Sequence, residues 1–160
     1  MLNAYEKLLL EAESKGLVVK EKPLKYNDGR IKGNKIAIRQ NINTQLEKSC
    51  VLAEELGHHY TSTGNILDQT RTENIKQELK ARMWAYDRQI GLIGIIKAYK
   101  YGCRNLHEMA ERLDVTEEFL KDALKSYRLK YGHYVIVDNY TVYFEPYLMV
   151  ADFNCYDFNE

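Results

Sequence analysis

The chain has 160 residues, 45% hydrophobic and 29% charged, the make-up of one compact globular domain or of a core domain with a small appendage. Lys+Arg and Asp+Glu balance at 23 each, so the electrostatic footprint of a protein that grips phosphates is missing and direct nucleic-acid binding is not expected. No apolar run approaches the roughly 18–20 residues that span a bilayer, so no membrane partner is expected either.

Met1–Lys7 lacks a basic segment followed by an apolar core, and so does not read as a signal peptide. Cys50, Cys103 and Cys155 are widely spaced and form no C-x-x-C pair, which suits free thiols in a reducing cytoplasm. Along the chain, residues 3–14 carry Ala4, Leu8 and Leu9 among charges and stop at Gly16, an amphipathic helix. A short strand at Leu17-Val18-Val19-Lys20, a turn at Asn27-Asp28-Gly29-Arg30 and an alternating strand at 35–39 follow. Thr44 and Glu47 form a capping box that opens a helix over about 44–60, with Leu46, Cys50, Ala53 and Gly57 as its inward stripe. A polar loop, Thr61–Asn65, ends it. A second box, Thr70 with Glu73, opens a helix to about Arg88 with an apolar ridge of Ile75, Leu79, Met83 and Tyr86.

Residues 91–101 read as an apolar helix interrupted by Gly91 and Gly94. Leu106–Leu113 and Glu117–Tyr127 read as a helix pair, with Thr116 as N-cap and acids in the first turn of the second helix. A hairpin closes the series: 134–137, a turn at Asp138-Asn139, then 141–144. The expectation is an α+β fold, predominantly helical, in which residues 1–90 form the core, 91–150 a helical and hairpin part with winged-helix-like order, and 151–160 a tail. Lys121, Lys125, Arg128 and Lys130 are interspersed with acids and the hairpin lacks a basic wing, which favours a packing or partner-docking module over DNA binding.

The chemistry concentrates in Glu54-Glu55-Leu56-Gly57-His58, one residue from the zinc-protease signature H-E-x-x-H. At about 100° per residue, Glu54, Glu55 and His58 share roughly one third of the helix circumference, with Val51 beside them. Glu54 and His58, four apart, can serve one zinc ion, a carboxylate oxygen being a legitimate ligand, while Glu55 stands in the place of the general base. A catalytic zinc site needs a third protein ligand and an open position for water. Glu78 is the candidate. Its own helix face carries the small residues Ala81 and Ala85, which would let two ligand-bearing helices come close; Glu73 is a weaker candidate because capping already explains it. Two carboxylates and one imidazole would neutralise the dication, so the chemistry should be slower or be assisted by a nearby cation. On its own, E-E-x-x-H at a helix end describes a solvated i,i+4 pair more readily than a metal site.

Context changes that reading. The segment Cys50–Thr61, followed by Glu78-Leu79-Lys80-Ala81-Arg82, resembles the ImmA/IrrE family of metallo-endopeptidases, over most of the chain and in particular its phage and mobile-element members. That family's pattern is H-E-x-x-H, then a glutamate ahead of an alanine and, in most members, Phe-Ala. Glu55, His58, Glu78 and Ala81 match; Trp84-Ala85 stands where Phe-Ala usually does, and Glu54 stands where the pattern has histidine. The resemblance implies a zinc-dependent endopeptidase that cleaves a helix-turn-helix repressor encoded beside it and so releases a prophage or mobile element. The alternative is a catalytically impaired pseudoprotease that binds the repressor without cutting it. His59, about 100° round the helix from His58, reads as an exposed residue, Tyr60 as a packing residue, and His107 and His133 as structural or surface histidines.

Overall fold

A computed structural model describes residues 1–62 and 71–153 of the chain. The fold is α+β and mostly helical, as its composition and periodicity imply. It divides into two units: Met1–Gln89 with the short segment Asp114–Thr116, and Ile90–Leu113 with the chain from Glu117 on.

The first unit begins with α1 (Ala4–Ser14). Asn3 caps it reciprocally: its side chain accepts from the Glu6 N–H and the Glu6 carboxylate accepts from the Asn3 N–H, both at 2.9 Å. Gly16, with φ at 74°, turns the chain out of the helix. Three strands follow, β1 (Val18–Lys22), β2 (Gly29–Lys32) and β3 (Lys35–Arg39). Their order is β1-β3-β2, with β1 parallel and β2 antiparallel to β3. The central strand supplies the core, through Ile36 and Ile38.

β2 corrects the sequence reading, which places a turn over Asn27–Arg30. Gly29 and Arg30 already pair with Ile38 and Ala37. The Asn-Asp-Gly signature is a turn signal, and a four-residue edge strand with only Ile31 as an apolar member has no periodicity to set against it.

α2 (Gln45–Thr61) is capped by Thr44, whose hydroxyl accepts the Glu47 N–H at 3.1 Å. At its other end the Ser62 N–H donates to the His58 carbonyl, and the Thr61 hydroxyl to the Gly57 carbonyl at 2.7 Å. The helix is buried on more than the expected stripe: Leu52 and Leu56 are also fully enclosed, each contributing about 1.5–3 kcal/mol of burial, whereas Leu46 is only half-buried.

α3 (Arg71–Gln89) packs on α2, and Thr70, the expected cap, lies outside the described residues. Its apolar ridge is a second correction. Ile75 and Leu79 are more than half exposed, and the buried residues are Ala81, Ala85 and Tyr86. The cause is at Gly57, where a β-carbon would lie 2.2 Å from the Ala81 carbonyl oxygen. Backbones this close admit only small side chains between them, so the alanine face turns inward and, of the expected ridge, Ile75 and Leu79 are left outside while Tyr86 is buried.

The second unit holds α4 (Gly91–Tyr101), α5 (Leu106–Leu113) and α6 (Glu117–Tyr131). Gly102, in the left-handed region at φ 106°, closes α4. An antiparallel sheet follows in the order β4-β5-β6, from β4 (Tyr134–Val137), β5 (Tyr140–Tyr143) and β6 (Met149–Asp152). The first two are the expected hairpin, with Asp138 at positive φ in its turn. β6 falls across the start of the expected tail; its register, Val142 against Val150, adds a third strand that no alternation over four residues announces. Ile95, Leu120, Tyr127 and Val142 fill this unit's interior. Cys50 is buried and Cys103 half-buried, both as free thiols, and Cys155 lies outside the described residues. No described helix is long and apolar enough to cross a membrane.

Candidate active site

The site lies on the first unit, where the last two turns of α2 meet the middle of α3 and the start of β2. His58 Nε2 stands 3.1 Å from Glu78 Oε2. This pairing follows from the backbone: Gly57 precedes the histidine, Ala81 lies one turn after the glutamate, and their close approach brings the two neighbouring side chains head to head. Both are partly exposed. Two ligands of one tetrahedral zinc, each at about 2.0–2.2 Å, stand about 3.3 Å apart. The His58 and Glu78 donor atoms therefore have a spacing suited to a shared ion, and imidazole with carboxylate is an ordinary zinc donor set.

Glu55 lies one turn before His58 and is almost fully enclosed, at 9% exposure. Burial first, then the charges of Glu54 and Glu78, push its carboxyl up to about 7. What encloses it is β2. A β-carbon at Gly29 would stand 2.6 Å from Glu55 Oε1, 2.8 Å from its Cγ and 2.8 Å from Val51 Cγ1. The bare α-carbon of an edge strand is thus pressed against the side chains of Val51 and Glu55.

Glu54 is half-buried and near enough to Glu55 to act on its charge. The structure brings His58 and Glu78 together with Glu55 alongside. It does not add Glu54 to that pair: among the described residues, no three His, Cys, Asp or Glu side chains form a group that could hold an ion.

Two further residues belong to the site's surroundings and escape the sequence reading. Arg82 Nε pairs with Glu78 Oε1 at 3.1 Å, holding the oxygen turned away from His58. Its i,i+4 spacing from Glu78 is a signal available in the sequence, and it places a cation on the carboxylate that faces His58. Gly29 gives no such signal, because nothing in the sequence tells which glycine meets Glu55. The residues after the motif serve packing. Tyr60 stacks on Trp84 with ring centroids 4.8 Å apart, and its hydroxyl, which has no partner among the described residues, has its pKa raised by burial and by Glu11. His59 is exposed and meets Tyr60 edge-on. His107 and His133 lie in the second unit, on carboxylate partners at its surface.

No curated protein sequence matches the chain. The family described as IrrE N-terminal-like domain, peptidase M78, matches over residues 12–125, a span that contains α2, α3, the glutamate–histidine motif and Glu78. The chain belongs to this IrrE-like family of metallopeptidases.

Proposed function

We propose that the protein is a zinc-dependent endopeptidase in which His58, Glu78 and Glu54 hold the ion and Glu55 is the general base. The observation that carries the reading is the 3.1 Å approach of His58 Nε2 to Glu78 Oε2, on two helices locked together beside an enclosed carboxylate. Glu54, four residues before His58, shares its helix face.

When bound, the ion supplies Lewis acidity, polarising a carbonyl and making water a stronger acid. The chain's residues do the rest. The Glu55 carboxylate takes a proton from the attacking water and returns it to the leaving amine. Its enclosure by β2 keeps competing water from its side chain and fixes where it points. Arg82, on the outer oxygen of Glu78, offsets part of the charge of a second carboxylate ligand. Among the described residues β2 is an edge strand, paired on one side by β3, and a substrate segment added to its other edge would lie near Gly29 and Glu55, the usual way an extended peptide uses an unpaired strand.

As substrate we propose a helix-turn-helix repressor of a prophage or mobile element, cut in the cytoplasm. This rests on the family relationship and on the likeness to its phage members in the motif segment. The test is to incubate the zinc-loaded protein with the purified repressor encoded beside it. Wild type cuts and Glu55→Gln does not, by about 10²–10⁴-fold in rate, while zinc content and fold are kept. Tight binding of the repressor without cleavage, indistinguishable between wild type and Glu55→Gln, would replace this reading with that of a pseudoprotease.

A further inference from the structure

Two glycines in the described chain leave no room for a methyl group. At Gly57 the obstacle is helix backbone, which explains the residue by packing alone. At Gly29 the obstacle is made of two side chains, Glu55 and Val51. Gly29 is not at positive φ, so backbone conformation does not call for glycine there. Nor does strand pairing, since its partner across the ladder is the ordinary core residue Ile38, and glycine inside a strand is unfavourable unless something approaches closely.

We infer that Gly29 is a positioning residue for Glu55: its missing side chain is the seat in which the Glu55 carboxylate rests. The inference depends on the base role proposed for Glu55 above. The contact set decides what a methyl group would do. Oε1 is the end of a flexible side chain and can swing aside, but Cγ is not an end atom, and Val51 Cγ1 blocks the neighbouring space. Glu55 would therefore have to turn about its inner torsions, carrying the whole carboxylate away. The helix beneath it cannot follow, because Leu52 and Leu56 are fully buried. The change falls on the direction of one side chain more than on the fold.

The test compares Gly29→Ala with wild type on the neighbouring repressor and on a quenched fluorogenic peptide library. We expect kcat to fall about 10²-fold, the scale of a misplaced catalytic group, with KM and zinc affinity unchanged. Glu55→Asp draws the carboxylate back by one methylene, so the base is already out of place although a Cγ still occupies the seat. In that background Gly29→Ala should add less than about threefold, a non-additivity that a merely structural glycine would not give. A readout without metal or activity uses melting of the zinc-free protein: the drop caused by Gly29→Ala should shrink in the Glu55→Ala background, where only Val51 Cγ1 still faces the methyl group. The inference is overturned by wild-type kcat in Gly29→Ala, by a loss that appears in KM or zinc affinity, or by a melting drop undiminished in Glu55→Ala. If wild type itself cleaves nothing, the base role fails and the inference falls with it; if wild type cleaves and Gly29→Ala cleaves equally, only the inference falls.

Discussion

A β-carbon on Gly57 would lie 2.2 Å from the carbonyl oxygen of Ala81 and 2.9 Å from its carbonyl carbon. Two opposed effects bear on replacing this glycine. Helix propensity favours alanine by up to about 1 kcal/mol, whereas forcing a methyl group against backbone has a typical overpacking penalty of about 1–3 kcal/mol. The second wins, because a helix backbone has no rotamer to change. Gly57→Ala is expected to lower stability in urea unfolding. It should also weaken zinc binding, by spreading His58 from Glu78. A variant as stable as wild type would mean that the helices do not approach this closely.

Glu54→His tests the departure from the family's pattern. Histidine in place of a second carboxylate leaves net positive charge on a bound dication and gives it stronger Lewis acidity. Zinc affinity and cleavage rate should both rise, read by metal titration and by repressor cleavage. If affinity rises while cleavage stays absent, the loss of function lies elsewhere than in the first ligand position.

Much of this arrangement is legible in the sequence, and the boundary of legibility has physical reasons. The capped helices declare themselves because a cap and a period act over one or two turns: Thr44 and the Glu54–His58 spacing are local facts. Ala81 and Ala85 announce a close helix contact, as small residues on one face do. The apolar ridge Ile75–Leu79 misleads because periodicity tells that a face exists, not that another element covers it. β2 and β6 show no alternation of apolar and polar residues, and their pairing is decided by partners elsewhere in the chain. The place of Gly29 is invisible for the same reason: it depends on a strand–helix juxtaposition spanning 26 positions, from 29 to 55.

Glu78 carries two partners, and removing each should have a different effect. Glu78→Gln keeps the shape but weakens the proposed ligand, so zinc occupancy should fall sharply. Arg82→Ala removes a half-exposed ion pair of the kind that contributes little to stability, about 0–1 kcal/mol. Its melting temperature should therefore barely move, while the cleavage rate drops if the cation offsets the charge of the second carboxylate. Measuring metal content, melting and cleavage on both variants separates ligand from helper. Unchanged zinc occupancy in Glu78→Gln would assign the ligand to another residue.

The second unit has a pH dependence of its own, centred on His107. The side chain sits on α5 between Glu111 on the same helix and Glu117 at the start of α6. The hydrogen bond to Glu117 and the charges of Glu111, Glu117 and Glu108 hold its pKa above the ordinary 6.5. A histidine whose folded pKa is raised stabilises the fold in its protonated form. That contribution is fully present below the unfolded value of 6.5 and is lost as pH rises through the higher folded value. The imidazole is exposed, so the effect is small and screened by salt. Wild type should melt above His107→Gln at about pH 5.5, and the gap should close by about pH 9. Adding about 1 M NaCl at the lower pH should also narrow it. A gap that widens with pH would mean that the neutral imidazole is the stabilising form, and that the two glutamates do not hold the proton.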